Sequence, residues 1–436
     1  MPDSRRVEEP AWNEVKAERQ LRSLELFGMR FGLDRMRRMM TVLDSPERRF
    51  AAIHVLGTNG KSSTTRMTAA ILTRHGLRVG AYLSPHLVSY RERVLIDGAE
   101  LDPDAFSAAV ARASWAAERV NRTLGEDDHV TQFELLTAAA LWEMAEQEVE
   151  AAVVEAGLGG RYDATSVIDA GVMALTNVGL EHTRWLGPTV RDIAEEKLAV
   201  VPTAGTLVLG EDLDPAALEV AERVASERDA RIVRPQPVDR ATKLAANGSF
   251  QRRNFALARA AAEAHLELLG ISLDASAVAA AAAETLVEGR MQLIDDDPPT
   301  LLDGAHNPHA IKALVEALPE MLGKRPLALV LGVLDDKDAA TMLATLLPLC
   351  ERAWFTAPPS ARALPPSALE SLARQLQFDA AACETRPQRA LEQARAWARE
   401  HDGAVLATGS VYLVGDLIGG RGHADDALVP PPGGAR

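Results

Sequence analysis

Short apolar runs alternate with amphipathic segments along most of this chain. Runs typical of buried strands lie at 52–56, 78–83, 151–155, 172–176 and 206–209. Segments with helical spacing lie beside them, at 12–26, 33–43, 61–75, 103–121, 131–147 and 190–200. Strands that are separated by helices predict a mostly parallel sheet covered by helices on both faces.

The alternation resumes after an alanine-rich stretch at 250–284, which predicts two packed helices. The second series of strands and helices is predicted at 301–303, 309–322, 327–331, 339–349, 353–356, 366–376, 390–400 and 404–407. An aspartate run and two prolines within 286–300 indicate a hinge. We therefore predict an α/β protein with a larger domain, a linker, a smaller Rossmann-like α/β domain and a disordered Gly- and Pro-rich tail, over residues 1–288, 289–300, 301–418 and 419–436.

One turn between a predicted strand and a predicted helix carries phosphate-binding chemistry. It consists, in order, of Gly57, Thr58, Asn59, Gly60, Lys61, Ser62 and Ser63. Backbone N–H groups of such a loop point at one spot, and the helix N-terminus adds positive potential there. Lys61 can reach terminal phosphates, and either serine can face a bound Mg²⁺. The larger domain is thus predicted to be P-loop ATPase-like.

Three polar residues follow other predicted strands: Ser84, Glu155 and His182. Ligands bind at the carboxyl edge of parallel sheets, so hydroxyl, carboxylate and imidazole can converge there on a metal–nucleotide site. Taken singly, Ser84 is equally a helix cap and His182 a surface histidine. Lys197, on a helix with acidic neighbours, is by itself best interpreted as a solvated lysine.

The start of the second domain also carries candidate nucleotide ligands. Asp303 and His306 follow the strand at 301–302, where they can contact ribose and phosphates, or simply form a helix-start turn. Arg290 can stack on a base or pair with a phosphate.

Composition and charge narrow the function class. The chain has 436 residues, 47% of them hydrophobic, and a net charge of −15, which disfavours nucleic-acid binding as the main role. It has two cysteines, Cys350 and Cys383, and no apolar run of 18 residues. We expect a cytoplasmic protein with no disulfide framework, no membrane span and no nucleic-acid partner.

Taken together, the motifs resemble the dihydrofolate synthase/folylpolyglutamate synthase family of the Mur ligase superfamily. The resemblance extends from about residue 17 to about residue 417. It is carried by 31–36, 54–65, 84–87, 92–94, 131–137, 155–165, 181–182, 185–187, 196–197, 251–254, 289–290, 303–308, 336–338 and 409–413. Family members usually have glycine where this chain has Ser62.

The resemblance implies a role for each candidate residue. The loop from Gly57 to Ser63 would hold ATP phosphates, together with Asn254, Arg290, Asp303 and His306 from elsewhere. Ser84, Glu155, His182 and a carbamylated Lys197 would hold the metal, and Lys61, His182 and Lys197 would be the catalytic set. Pterin or folate would lie near Arg30, Phe31, Gly32, Thr131, Gln132, Phe133, Glu134, Arg161, Tyr162 and Asp163.

The implied activity is ATP-dependent ligation of L-glutamate to dihydropteroate and to reduced folates, through an acyl phosphate. The implied cofactors are ATP and one or two Mg²⁺ ions, with a K⁺ requirement left open, and the implied state is a monomer. Three alternatives remain open: a monofunctional enzyme of this family, another Mur-type amide ligase, and a nucleotide-binding regulatory protein. An NTPase motor is disfavoured because no arginine-rich oligomer interface is evident.

Overall fold

The structure is a computed structural model that describes residues 12–24 and 32–420. The chain forms two compact units, Met1–Val287 and Glu288–Arg436. The candidate substrate residues Arg30 and Phe31 lie outside the described residues, as do positions 421–436 of the predicted tail. Within the described residues, every helix is too short or too polar to span a bilayer.

The first unit contains an eight-stranded sheet with the strand order β4-β3-β2-β5-β1-β6-β7-β8. The strands are β1 (Ala51–Leu56), β2 (Val79–Tyr82), β3 (Val94–Ile96), β4 (Ala99–Glu100), β5 (Ala151–Glu155), β6 (Ala170–Leu175), β7 (Thr206–Leu209) and β8 (Arg231–Val233). The six strands from β2 to β8 in this order are parallel, and β3 and β4 add an antiparallel edge. β1, whose carboxyl end carries the glycine loop, lies between β5 and β6.

Helices cover both faces of this sheet. They are α1 (Glu14–Ser23), α2 (Asp34–Val42), α3 (Lys61–Arg74), α4 (Pro103–Asn121), α5 (Gln132–Glu146), α6 (Thr183–Leu186), α7 (Val190–Leu198), α8 (Pro215–Glu227), α9 (Ser249–Leu268) and α10 (Ala275–Glu284). Alternate residues of β5 enter different cores: Ala152 and Val154 pack with α4 and α5, whereas Ala151 and Val153 pack with α3 and α9. A strand that is buried on both faces is therefore apolar throughout, and this is why the apolar runs of the sequence predict the strands.

The second unit has a six-stranded sheet with the order β13-β12-β11-β14-β10-β9. Its strands are β9 (Gln292–Asp296), β10 (Pro299–Leu302), β11 (Leu327–Leu331), β12 (Arg352–Phe355), β13 (Ala381–Cys383) and β14 (Ala404–Thr408). Its helices are α11 (Pro308–Leu322), α12 (Ala339–Leu346), α13 (Pro366–Gln375), α14 (Pro387–Glu400) and α15 (Val411–Gly419). The predicted fold class, two α/β domains with a mostly parallel first sheet, is confirmed.

The structure corrects the predicted linker at 289–300. Gln292–Asp296 forms β9, which pairs antiparallel with β10, so this segment belongs to the second sheet. Of the aspartates and prolines that indicated a hinge, Asp297 and Pro298 form the tight turn of this hairpin, and Asp295, Asp296 and Pro299 belong to its strands. The predicted tail also begins too early, because α15 continues through Gly419.

Candidate active site

The glycine loop is fixed by close backbone packing. Gly57 and Gly60 have φ angles of +146° and +84°, and α3 begins at Lys61. A Cβ atom on Gly57 would lie 1.8 Å from Thr176 Oγ1, and one on Gly60 would lie 2.5 Å from Asn254 Oδ1. Glycine is therefore required at both positions by conformation and by space. Asn254, an expected nucleotide ligand on α9, is thus placed directly over the loop.

The residues after β6 hold the loop from its other side. Thr176 Oγ1 donates to Asn59 O at 2.6 Å, and Asn59 N donates to Asn177 Oδ1 at 3.0 Å. Thr58 N donates to Asn177 O at 3.0 Å. A Cβ atom on Gly210, after β7, would lie 1.9 Å from Thr176 O. The ends of three neighbouring strands are thus locked together around the loop.

Two lysines meet at the first residue of the loop. Lys61 Nζ donates to Gly57 O at 3.1 Å and to Thr58 O at 3.2 Å. Lys197 Nζ, from α7, donates to the same Gly57 oxygen at 2.8 Å. Burial, and then the charge of Lys61, lowers the pKa of Lys197 to about 7. Part of the Lys197 population is therefore neutral near neutral pH, and the neutral amine is the nucleophilic form. The solvated lysine that the isolated sequence favoured is wrong, because Lys197 is buried.

Glu155 lies beside the start of α3. Its Oε1 accepts from Ser62 Oγ at 3.0 Å, and its Oε2 accepts from Ser84 N at 3.2 Å. Ser62 is therefore the serine whose hydroxyl contacts this carboxylate, whereas the Ser63 side chain is buried. Three of the residues that the sequence assigned to a metal–nucleotide site, Ser62, Ser84 and Glu155, are therefore in contact.

His182 is placed differently. It adopts φ +51° as the residue before α6, and its Nε2 lies 3.6 Å from Glu181 Oε1. Across the described residues, no group of three or more His, Cys, Asp or Glu side chains is arranged to hold a metal ion. The side-chain oxygens that do converge are those of the Glu155 carboxylate and the Ser62 hydroxyl, with Ser84 held beside them through its backbone N–H, and these oxygens fit Mg²⁺ with retained waters.

Residues 131–134, expected to bind pterin or folate, form the start of α5. Glu134 and Thr131 form a capping box, with Thr131 N donating to Glu134 Oε2 at 2.9 Å. Arg35 Nε donates to both Glu134 oxygens at 3.0 and 3.1 Å, and Arg35 Nη1 donates to Asp128 Oδ1 at 2.9 Å. The Arg35–Glu134 pair is almost fully buried. The structure therefore gives the Glu134 carboxylate partners within the protein.

Gln132, Phe133 and Gly32, which were also expected near the substrate, have the following places in the structure. Gln132 Nε2 donates to the Leu21 carbonyl at 2.7 Å. Phe133 packs against the loop that follows β5, where a Cβ on Gly157 would lie 2.5 Å from Phe133 Cζ. Gly32, just before α2, has φ +136°.

The loop at 156–163 carries the remaining predicted substrate residues. Tyr162 is 47% exposed, and Arg161 Nε donates to Glu196 Oε1 at 3.0 Å. Asp163 is buried: its Oδ2 accepts from Leu158 N at 2.7 Å and its Oδ1 from Thr165 N at 3.0 Å. Burial raises the pKa of Asp163, which its hydrogen bonds partly offset. Asp163 therefore fixes the backbone of this loop by accepting N–H groups from both of its ends.

The motif at 84–94 forms a small organised turn. The Glu92 carboxylate accepts the N–H groups of residues 87–89 at 2.6 to 2.7 Å. Arg93 Nε donates to His86 Nδ1 at 3.0 Å, and the His86 ring lies 4.3 Å from that of Tyr90. Burial, and then the charge of Arg93, lowers the pKa of His86 to about 3. His86 therefore remains a neutral acceptor at neutral pH.

The second unit brings its three candidate residues to one strand end. Asp303, just after β10, accepts from Met291 N at 2.9 Å and from Ala305 N at 2.7 Å. A Cβ on Gly304 would lie 2.9 Å from Arg290 Nη1, and His306 Nδ1 lies 2.8 Å from Gly304 O. Burial raises the pKa of Asp303, opposed most by the charge of Arg290.

Sequence reasoning missed several residues of the site. Asn177 and Thr176 clamp the glycine loop, and their position directly after a predicted strand was an available signal. His54 and Thr165 lie next to Asp163 in the core, and although both fall within stretches that resemble the family, at 54–65 and 155–165, the sequence analysis assigned no role to either residue.

This P-loop, with a carboxylate at the end of the adjacent strand, is typical of an ATP-binding domain, and the families that match the two units define the class as ATP-dependent amide-forming ligases. The Mur ligase middle domain matches residues 55–283, and the Mur ligase glutamate ligase domain matches residues 289–411. The chain belongs to the dihydrofolate synthase/folylpolyglutamate synthase family of the Mur ligases.

Known proteins of this family are similar over most of the chain. The dihydrofolate synthase/folylpolyglutamate synthase of Escherichia coli is 33% identical over 84% of this chain and 85% of its own length. A solved structure of E. coli FolC in complex with DHPP and ADP superimposes with a TM-score of 0.82 at 28% identity, covering 94% of this chain and 97% of that one. A probable bifunctional folylpolyglutamate synthase/dihydropteroate synthase of Haloferax volcanii is 33% identical over 90% of this chain, which spans only 49% of that protein.

The contact between Ser62 and Glu155 yields a first prediction. Ser62→Ala should raise the Mg²⁺ concentration needed for tight ADP binding by about tenfold, because it removes a hydrogen bond to a charged oxygen-ligand group. Calorimetric titration of ADP at several Mg²⁺ concentrations measures this effect. Ser63→Ala is the matched control and should stay within about twofold of wild type. A larger effect of Ser63→Ala would mean that Ser63 faces the metal.

The buried Arg35–Glu134 pair yields a second prediction. Arg35→Met should lower the free energy of unfolding by about 3–5 kcal/mol, because it leaves a buried carboxylate without its cation. The control is Arg38→Met on the same helix, since Arg38 forms an exposed pair with Asp34 and should cost less than about 1 kcal/mol. Urea unfolding of both variants measures the difference, and equal losses would contradict the assignment.

Proposed function

We propose that this protein ligates L-glutamate to dihydropteroate, forming dihydrofolate, and to reduced folates, extending their glutamate tails. The observation that carries the proposal is that Lys61 and Lys197 both donate to the Gly57 carbonyl, while Glu155 ends the neighbouring strand β5 and accepts from Ser62 of the same loop. The names of the E. coli relatives, and the DHPP and ADP bound in one of them, support the same substrates.

The glycine loop and the residues around it would bind the ATP phosphates. Lys61 now donates to two carbonyl oxygens, and a nucleotide would offer it phosphate oxygens with full negative charge. Asn254 lies against Gly60, where it would meet the phosphate-bearing part of ATP. Arg290, Asp303 and His306 of the second unit are proposed to bind the nucleotide as well. Glu155, Ser62 and Ser84 would hold Mg²⁺, which would neutralise charge on the transferred phosphoryl group.

Two bond exchanges complete the reaction. A carboxylate oxygen of the pterin or folate substrate attacks the γ-phosphorus, ADP leaves, and an acyl phosphate forms. The glutamate amine then attacks the acyl carbon, loses a proton and expels inorganic phosphate, leaving an amide. Lys61 and the loop N–H groups stabilise charge in the first step. Phe133, Arg161 and Tyr162 are proposed to contact the pterin or folate, on a frame held by Glu134 and Asp163.

Lys197 is proposed to carry a carbamate. Its neutral amine would attack CO₂ and release a proton, turning a cation into an anionic oxygen ligand. Two ammonium groups on the Gly57 carbonyl repel one another in a buried site. Carbamylation replaces that repulsion by attraction to Lys61. His182 is proposed as a further metal ligand, which requires it to turn from Glu181.

The remaining parts of the proposal concern the protein as a whole. We propose that it acts as a monomer in the cytoplasm, without nucleic-acid or membrane partners. The net charge of −15 supports the absence of a nucleic-acid partner, and the two free cysteines support a reducing compartment. A K⁺ requirement is tested by replacing K⁺ with Na⁺ in the assay below.

The third prediction concerns the reaction. With ATP, Mg²⁺ and L-glutamate, both dihydropteroate and tetrahydrofolate should gain one glutamate mass while phosphate is released. Lys61→Ala should lower the rate by at least about 100-fold with the fold retained, because it removes the charge on the transferred phosphate. Product mass and phosphate release are the measurements, and circular dichroism verifies the fold. Turnover of one substrate alone would make the enzyme monofunctional, and turnover of neither would overturn the proposal.

The fourth prediction concerns Lys197. Protein incubated with ¹³C-labelled bicarbonate should show a carbamate carbon resonance that is absent from Lys197→Arg. Lys61→Arg is the control, since it should retain the resonance. A spectrum without the resonance in the wild-type protein would reject carbamylation while leaving the ligase proposal intact.

A further inference from the structure

A buried relay of hydrogen bonds runs below the loop at 156–163. His54 lies in β1, on the same face as Ala52, and its Nε2 is 2.9 Å from Thr165 Oγ1. Thr165 Oγ1 lies 2.5 Å from Asp163 Oδ1. All three side chains are at least nine-tenths buried. None of these contacts involves the phosphate loop itself.

Proton accounting fixes the direction of the relay. Both Asp163 oxygens already accept backbone N–H groups, so its carboxylate takes the single hydroxyl proton of Thr165. Thr165 Oγ1 must then accept from His54, which makes His54 an Nε2–H donor. Burial lowers the pKa of His54 to about 3, so the ring stays neutral and the donor is permanent at neutral pH.

The loop at 156–163, which this relay anchors, packs against both α7 and Phe133 of α5. A Cβ on Gly160 would lie 2.6 Å from the carbonyl oxygen of Lys197, so the loop packs directly on α7. Gly157 packs on Phe133 in the same way. Arg161 N donates to Glu196 O at 3.0 Å. A displacement of the loop would therefore disturb the proposed substrate residues first.

We infer that His54 and Thr165 are positioning residues, which act through Asp163 to hold the loop at 156–163 against α7 and Phe133. Their effect on pterin binding rests on the proposed function, whereas their effect on the loop does not. Neither residue touches the reacting atoms.

Hydrogen exchange tests the positioning directly. His54→Leu and Thr165→Val remove the donor and the hydroxyl, and should speed amide exchange across 157–165 by about tenfold. His54→Gln and Thr165→Ser keep these groups and should exchange like wild type. Thr300→Val is the matched control, because Thr300 is a buried threonine of the second unit whose hydroxyl bonds Pro298 O. Unchanged exchange in His54→Leu and Thr165→Val, or no restoration in the conservative variants, would overturn the inference.

Ligand affinity separates positioning from general destabilisation. In His54→Leu and Thr165→Val, the Kd for dihydropteroate should rise about tenfold and that for ADP should change less than about twofold. A parallel loss of both affinities would mean that the relay only stabilises the fold, and would overturn the positioning role. If wild-type protein binds no dihydropteroate, the proposed function fails, and the exchange experiment still decides whether the relay holds the loop.

Discussion

The carbonyl group of Gly57 is the point on which the site depends, since it accepts hydrogen bonds from both Lys61 and Lys197. When both amines are charged, two cations share one neutral acceptor and repel one another, and burial together with this repulsion lowers the pKa of Lys197. The backbone that holds the two amines together must therefore be rigid. The packing of Thr176 on Gly57 and the hydrogen bonds between Asn177 and the loop supply that rigidity, and the charges of Glu181 and Asp163 partly offset the repulsion.

The order of the strands explains how distant parts of the chain reach this carbonyl. β5 and β6 flank β1, so Glu155 and Thr176 end beside Gly57 although about a hundred residues separate them from it in sequence. The chain leaves β1 through α3 and returns at β2, on the far side of β5, whereas it leaves β5 toward β6 on the other side of β1. In open α/β sheets the ligand crevice lies outside the carboxyl ends of the strands, at the point where successive connections leave in opposite directions.

Much of this arrangement could be predicted from the sequence, because strands buried on both faces are uniformly apolar and the glycine loop has a local signature. The buried position of Lys197 could not, since a helix with acidic neighbours looks solvated until the loop at 156–163 is packed on it. The strand β9 was also missed, because aspartates and prolines indicate a linker as readily as a hairpin turn. Glu134 and Asp163 were expected to contact the substrate. Their hydrogen-bond partners within the protein could not be predicted, because these depend on which segments pack together in the folded chain. His54 and Thr165 lie within the stretches that resemble the family, but their contact with one another was not predictable, because it joins residues that are 111 positions apart in the sequence.

Thr176 is enclosed between two glycines, Gly57 and Gly210, at which a Cβ atom would collide with it. The ends of β1, β6 and β7 therefore pack so closely that neither glycine position has room for a side chain. A larger side chain at Gly57 or Gly210 would push Thr176 and the strand end that carries it out of place. These three positions can therefore change in evolution only together, which makes this corner of the sheet its most constrained part.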